Sequence, residues 1–183
     1  MKQYPLPPAL KLSVHSGSDK YSLYDSMSAA LERSDAGLHL KTAGTTWLQE
    51  LAGLAETGSE GCVLVREIYS QALERMDELC APYACVIDID RKALPPRREV
   101  TQWSSEQWVS ALAHNCQNPN FNPHLRQLLH VGYKIAAEMG TLYLDALRRH
   151  KNYIGAKVTA NLYENHLRPL FVRGSRSAEA GKD

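Results

Sequence analysis

Two short stretches in which apolar and polar residues alternate, each leading into a helical pattern, constrain the fold of this chain most. They are LKLSV (10–14) and LHLKT (38–42), and the spacing of apolar residues predicts helices after them over 22–34 and 45–56. Strands that alternate with helices are typical of βα units and a parallel sheet. The order of these elements therefore predicts an α/β fold.

A third strand candidate is YACVIDID (83–90), which follows a predicted long helix over 62–80. Three βα units are too few for a closed barrel, which takes eight strands. Each parallel strand also needs cover on both of its faces. We therefore expect the apolar side chains of Val14, Leu40, Val86 and Ile87 to be less buried than is usual for their types.

From Trp103 onward the sequence is predicted to be almost entirely helical. The predicted helices cover 103–115, 122–149 and 151–172. We therefore predict the last βα units of a TIM-type barrel, a partial barrel, with an α-helical C-terminal extension. The predicted divisions are a βα barrel portion over 1–102, a helical extension over 103–173 and a disordered tail over 174–183.

Charge and hydropathy exclude several classes of function. The chain has 21 Lys and Arg residues against 20 Asp and Glu, which leaves no basic field of the kind that nucleic-acid binding needs. No apolar run is long enough to span a bilayer, and prolines interrupt the N-terminal segment where a signal peptide would be apolar. We therefore expect a soluble, cytoplasmic protein with neither a nucleic-acid nor a membrane partner, and free thiols at its four cysteines.

The first cluster of chemically useful side chains directly follows the first strand. It comprises His15, Ser16, Ser18, Asp19 and Lys20. In barrel enzymes this loop face carries the chemistry, because loops at the carboxyl ends of the strands meet there. A functional loop is one interpretation of the cluster. A capped turn, with Asp19 as the helix cap and Lys20 in solvent, is the other.

The second cluster lies on the second strand. Because side chains alternate along a strand, His39 and Lys41 share one face, while Leu40 and Thr42 share the other. Burying two such polar groups is costly unless their face forms a site or meets water. The pattern thus indicates either a site or an edge strand that faces solvent.

Two weaker clusters lie further along the chain. Asp88 and Asp90 share a face at the end of the third predicted strand, where they could bind a metal ion or cap the following residues, and we favour the cap. His130, Tyr133 and Lys134 share one face of a predicted helix. They form either a pocket wall or a half-buried histidine with a tyrosine neighbour.

The two clusters in tandem, KLSVHSGSDKYSLY and HLKTAGTTWLQEL, resemble the bacterial tagaturonate/fructuronate epimerase family. The later segments FNPHLRQLLHVGYKI and YENHLRPLF are similar to the helical tail of that family. The resemblance runs from about Lys11 to Phe171, most of the chain. It implies a metal-dependent barrel enzyme of hexuronate catabolism that interconverts D-tagaturonate and D-fructuronate.

The resemblance also assigns residues. His15 and His39 match two histidines expected to hold a divalent metal cation. Lys20 and Lys41 match positions expected to contact the substrate carboxylate or hydroxyls, and Ser16, Ser18, Asp19 and Thr42 are further candidates for substrate binding. The physical argument agrees for the histidines, because they are predicted at the carboxyl ends of successive parallel strands, which converge at one end of a sheet. Asp88, His130 and Tyr133 are candidate pocket residues.

Members of the family are much longer, so the resemblance implies that this chain corresponds to their C-terminal part. An upstream half is expected to supply a third, acidic metal ligand and the acid/base pair, and the chain is expected to need that half or to self-associate. The inverted carbon lies two bonds from the ketone, which favours retro-aldol cleavage and re-addition over abstraction of an α proton. A non-catalytic remnant, and a different metal-dependent sugar isomerase or aldolase, are the alternative interpretations.

Overall fold

The computed structural model describes residues 11–15 and 21–172, with Ser59 described by its main chain alone. They belong to two compact units. The strand unit takes in the described residues up to Thr45 and those from Ala160 onward, and the helical unit comprises Thr46–Thr159.

The strand unit contains two short parallel strands. Strand β1 (Leu12–His15) pairs in register with β2 (Leu38–Lys41), and helix α1 (Tyr21–Ser34) connects them. Predicted helix 22–34 and the two predicted strands are thus confirmed, with boundaries shifted by one or two residues. The strand unit also includes a π-helix over Asn161–Leu167, which packs with α1.

The third predicted strand, 83–90, is wrong. The chain instead forms a 3₁₀ turn over Ala81–Tyr83, and the next amides bond locally, since Val86 N–H and Ile87 N–H both donate to the Tyr83 carbonyl. Val86 is 76% exposed. Because these amides are used within a turn, they cannot join the ladder of a sheet. In the described part of the chain the sheet has two strands. The fold is therefore α/β, with most of its residues in helices.

The helical unit consists mainly of α-helices, two of which extend into the strand unit. Helix α2 (Ala43–Glu56) begins in the strand unit, and α10 (Lys151–Ala160) has its last residue there. The other helices of this unit are α3 (Ser59–Glu74), α4 (Met76–Cys80), α5 (Arg97–Val100), α6 (Ser105–Leu112), α7 (Pro123–Val131), α8 (Tyr133–Met139) and α9 (Thr141–Arg149). A short α11 (Arg168–Phe171) follows the π-helix in the strand unit.

Several predicted long helices are interrupted in the structure. The predicted helix 62–80 is divided at Arg75, and the predicted helix 122–149 is divided at Gly132 and Gly140. Gly140 has a φ of 56°, a positive value that glycine adopts at little cost, and it lies between the end of one helix and the start of the next. The apolar spacing predicts which residues face a core, but it continues across such breaks and does not reveal them.

The core of the helical unit is apolar and closely packed. Trp108, Leu51, Leu54, Ile68 and Leu128 are fully or almost fully buried in one cluster. Burying large apolar side chains of this kind supplies most of the stability of a domain. By contrast, none of Val14, Leu40, Val86 and Ile87 is buried, as expected, although Val86 and Ile87 follow a 3₁₀ turn and do not lie in a strand. No helix in the described ranges is both long and apolar enough to cross a membrane.

Glu50 is a half-buried carboxylate in the helical unit, and its protonation should affect stability. Burial raises the pKa of Glu50 above its ordinary value of 4.5, although the Tyr143 hydroxyl donates to its Oε2 at 3.1 Å and partly offsets that rise. Ionisation therefore costs more in the folded than in the unfolded chain, so the carboxyl stabilises the fold at acid pH and this contribution declines as the pH rises above 4.5.

We expect Glu50→Gln to raise the unfolding free energy at pH 7 relative to the native chain and to give no such gain below the ordinary pKa of a glutamate. The glutamine keeps an acceptor for Tyr143 while removing the charge. Urea titrations at pH 4 and pH 7 measure both differences. This assignment would be contradicted if Glu50→Gln raised the unfolding free energy over that of the native chain by less at pH 7 than at pH 4.

Candidate functional site

Four polar side chains share one face of the two-stranded sheet. The register pairs Ser13 with His39 and His15 with Lys41, and residues paired in this way point to the same side of a parallel sheet. All four are exposed. We call these residues the polar strip. The sequence predicts that His39 and Lys41 share a face. The strand register adds that Ser13 lies beside His39 and His15 beside Lys41.

The histidines are diagonal neighbours within the polar strip. Neighbouring strands lie about 4.8 Å apart and two residues span about 6.6 Å along a strand, which puts the Cα atoms of His15 and His39 about 8 Å apart. Two imidazoles on one face at this separation can converge on a common ion, with a nitrogen of each ring about 2 Å from it. The geometry is thus compatible with a shared metal ion.

His39 has a partner that suits a metal ligand. The Ser13 hydroxyl lies 3.4 Å from Nδ1 of His39. Metal-binding histidines usually use one ring nitrogen for the metal while the other is held by a polar neighbour, which orients the ring. A metal ion at the polar strip would accordingly be bound through Nε2 of His39.

The number of available ligand atoms shows how completely these residues could hold a metal ion. Among the residues that the structure describes, no group of three or more His, Cys, Asp or Glu side chains could hold one. His15 and His39 would supply two nitrogen ligands, whereas catalytic zinc sites have three protein ligands. The histidines therefore fit a metal ion as part of a donor set that needs at least one more ligand.

The connection after β2 is short. Lys41 ends β2, Thr42 is half-buried and α2 begins at Ala43. Lys41 carries an exposed ammonium beside His15, so the polar strip offers a cation as well as two imidazoles. Such a combination suits an anionic ligand that also has metal-binding oxygens. The other loop residues predicted for the site, Ser16, Ser18, Asp19 and Lys20, lie outside the described residues.

The candidate pocket residues Asp88, His130 and Tyr133 belong to the helical unit. Asp88 is exposed, and its main chain exchanges two hydrogen bonds with the Gln127 side chain. Tyr133 is 62% exposed and contacts Trp47 edge to face. Half-buried His130 is near the end of α7, and Gly132 separates that helix from Tyr133 in α8, so the continuous helix predicted here is interrupted between the two residues.

The cap interpretation holds for Asp90. Its Oδ1 accepts a hydrogen bond from the Lys92 main-chain N–H at 2.9 Å, at the start of a 3₁₀ turn. Its own N–H donates to Nδ1 of His124 at 3.1 Å. Both interactions stabilise the loop, so they explain an aspartate at this position without a role in metal or ligand binding.

A buried polar network in the strand unit is not signalled by any motif. Tyr24, Thr45, Asn161 and His166 are all at most 7% exposed. Hydrogen bonds connect the side chains of His166 to Tyr24 and of Thr45 to Asn161. No motif in the sequence singles out His166, because the residues that contact it come from distant parts of the chain.

Comparison with known proteins bears on the polar strip and on the chain as a whole. The family model described as tagaturonate epimerase, UxaE, matches residues 8–168. The chain belongs to the tagaturonate epimerase family. The resemblance inferred from the two tandem motifs is thereby confirmed, and the matched range includes both strands of the polar strip.

Individual relatives agree with the family match. The chain is 37% identical over 82 residues to the tagaturonate/fructuronate epimerase of Thermotoga maritima, a match that covers 44% of this chain and 16% of that protein. It is also similar to the glycerol-complexed crystal structure of the fructuronate-tagaturonate epimerase UxaE from Cohnella laeviribosi. That similarity has a TM-score of 0.64 and 28% identity, and it covers 87% of this chain and 30% of the solved one. This chain therefore spans less than a third of its solved relative.

Proposed function

We propose that this chain contributes to a hexuronate epimerase that interconverts D-tagaturonate and D-fructuronate. The observation that carries the proposal is the polar strip, in which His15 and Lys41 end two adjacent parallel strands and His39, two residues before Lys41, shares their face. Family membership and the names of the two relatives support this substrate class. D-Tagaturonate and D-fructuronate each have a carboxylate, hydroxyls and a ketone, so they present groups that suit each of these side chains.

Within this proposal, His15 and His39 are two ligands of a divalent metal cation. When bound, such an ion would polarise the substrate ketone as a Lewis acid. Lys41 would bind the substrate carboxylate, because an ammonium forms charge-assisted hydrogen bonds with it. Lys20, which matches a substrate-contacting position of the family, and the candidates Ser16, Ser18, Asp19 and Thr42 would also bind the substrate.

The remaining ligand and the acid/base residues would come from the part of the family fold that this chain does not span. Parallel sheets are normally covered on both faces, whereas the side chains of β1 and β2 are exposed or half-buried in the described residues. Strands from that missing part would complete a barrel-type sheet beside β1 and β2, either in one polypeptide or in a partner chain. We place the complete enzyme in the cytoplasm.

Lys41→Met tests whether the polar strip recognises an anion. In an active assembly that contains this chain, we expect the variant to raise the KM for D-tagaturonate by about tenfold or more, since one charge-assisted hydrogen bond is lost. The KM for D-tagatose, the neutral ketose of the same configuration, should change little. Steady-state kinetics with both substrates measures the difference.

Lys41→Arg is the matched control, because it keeps the positive charge with a different geometry. It should retain most of the preference for the uronate. Equal effects of Lys41→Met on the acid and on the neutral sugar would show that Lys41 is structural. An assembly that contains this chain and all other parts of the family fold, yet has no turnover, would favour a non-catalytic remnant.

A further inference from the structure

The buried polar network contacts the first turn of the helix that follows the polar strip. Thr45 lies in that turn, and its hydroxyl donates to Oδ1 of Asn161 at 3.0 Å. His166 is fully buried, with its Nδ1 2.7 Å from the Tyr24 hydroxyl and its Nε2 3.5 Å from Oγ1 of Thr45. One histidine thus connects α1 with the start of α2.

The hydroxyl protons assign the tautomer of His166. A hydroxyl carries a single proton, and that of Thr45 is directed at Asn161. Toward His166, Thr45 can therefore only accept, so Nε2 must carry the proton. In the neutral ring Nδ1 is then the acceptor, and the Tyr24 hydroxyl donates to it.

The π-helix explains how Asn161 and His166 both reach Thr45. They are five residues apart, and in an α-helix, at 3.6 residues per turn, such residues point about 140° apart. A π-helix forms i→i+5 hydrogen bonds, which brings residues five apart close to the same face of the helix. The π-helical segment therefore places an amide and an imidazole on the same side.

The short connection transmits this contact to the polar strip. Lys41 ends β2, and Thr42 alone separates it from α2. With so few intervening backbone dihedrals, fixing Thr45 also fixes the direction in which β2 ends. His39 and Lys41 alternate along that strand and share its orientation.

We propose that His166, protonated at Nε2, is a positioning residue that fixes the β2–α2 connection through Thr45, and with it the His39 and Lys41 side chains. The proposal rests on the proposed function for its consequence in substrate binding. Its structural part, the tautomer and the fixed connection, stands apart from any activity.

Thr45→Val and Thr45→Ser in the full chain form a matched pair, because valine keeps the branched shape without the hydroxyl and serine keeps the hydroxyl. Nitrogen-15 NMR of the histidine rings should show the Nε2–H tautomer of His166 in the native chain and in Thr45→Ser, and loss of that preference in Thr45→Val. Amide exchange at Trp47 and Leu48 should accelerate about fivefold in Thr45→Val alone, which corresponds to the loss of one hydrogen bond. Exchange at Trp108 in α6, a control for global stability, should not change.

A second variant decides the question if Thr45→Val does not fold. Tyr24→Phe removes the donor to Nδ1 and should also weaken the tautomer preference and accelerate exchange at Trp47. Native-like tautomer and exchange in Tyr24→Phe, or in a folded Thr45→Val, would overturn the positioning role.

A kinetic arm separates this proposal from the proposed function. In the active assembly, Thr45→Val should raise the KM for D-tagaturonate about fivefold, and Thr45→Ser should restore it. If the NMR results hold and the KM does not move, the connection is positioned as inferred but the polar strip does not bind the substrate. That result would count against the proposed function, while the structural part of the present proposal would remain supported.

Discussion

Gly61→Ala is expected to unfold the helical unit or to destabilise it by about 3 kcal/mol, because no space exists for a methyl group at this position. A Cβ atom on Gly61 would lie 1.7 Å from the Leu54 carbonyl oxygen and 2.5 Å from the carbonyl carbon. The same oxygen accepts hydrogen bonds from the N–H and the hydroxyl of Thr57. Relief of the clash requires movement of the main chain where α2 gives way to α3, which would break both bonds.

Gly155→Ala is the matched control for this prediction. Gly155 is an exposed residue within α10, and a Cβ atom there would meet nothing within 4 Å. Alanine should therefore stabilise the chain by about 0.5–1 kcal/mol through its higher helix propensity. Guanidinium unfolding followed by tryptophan fluorescence measures both variants. Similar unfolding midpoints for the two variants would show that the α2–α3 corner has room that the structure does not reveal.

The elements that the sequence predicts correctly are those specified by local pattern. The alternation in LKLSV and LHLKT predicts β1 and β2, and Ser34, the last residue of α1, ends the helix as predicted. The same alternation predicts that His39 and Lys41 share a face. A period of two needs only a few neighbouring residues to be recognised, so it survives in strands of four residues.

The segment 83–90 shows where local pattern is insufficient. Its apolar residues are typical of a strand, but a strand also needs a partner along its length. Here Asp88 and Asp90 bond to the side chains of Gln127 and His124, more than thirty residues away in the chain. Non-local partners of this kind compete with sheet formation, and no short-range pattern predicts them.

The candidate site divides in the same way. The sequence and the family resemblance identify His15 and His39, but the pairing of His15 with Lys41 depends on strand register, which the structure supplies. His166 escapes prediction because its partners Tyr24 and Thr45 are more than a hundred residues away. The π-helix that orients it also interrupts the α-helical period from which the surrounding helix is predicted.

Removal of either imidazole from the polar strip is expected to reduce metal affinity at least about a hundredfold, because a direct ligand contributes more than the outer groups that orient it. We expect this for His15→Ala and for His39→Ala, each measured with Zn²⁺ by competition against a chelating dye. Ser13→Ala should have a smaller effect, about tenfold, because its hydroxyl contacts only Nδ1 of His39 and would orient the ring. The order of these three losses follows directly from the geometry of the strip.

His114→Ala is the control for nonspecific binding of zinc by histidine. His114 is exposed in the helical unit, where its ring packs against Phe121, and it has no place in the polar strip. Its removal should leave zinc affinity unchanged.

If His114→Ala lowers the affinity as much as His39→Ala does, zinc binding is a property of scattered histidines. If His15→Ala alone has no effect, the two histidines do not share an ion, and Lys41 would remain as the member of the strip that recognises the substrate. A graded loss from His15 and His39 to Ser13, with none at His114, would instead support two imidazoles and one orienting hydroxyl as a single metal-binding unit.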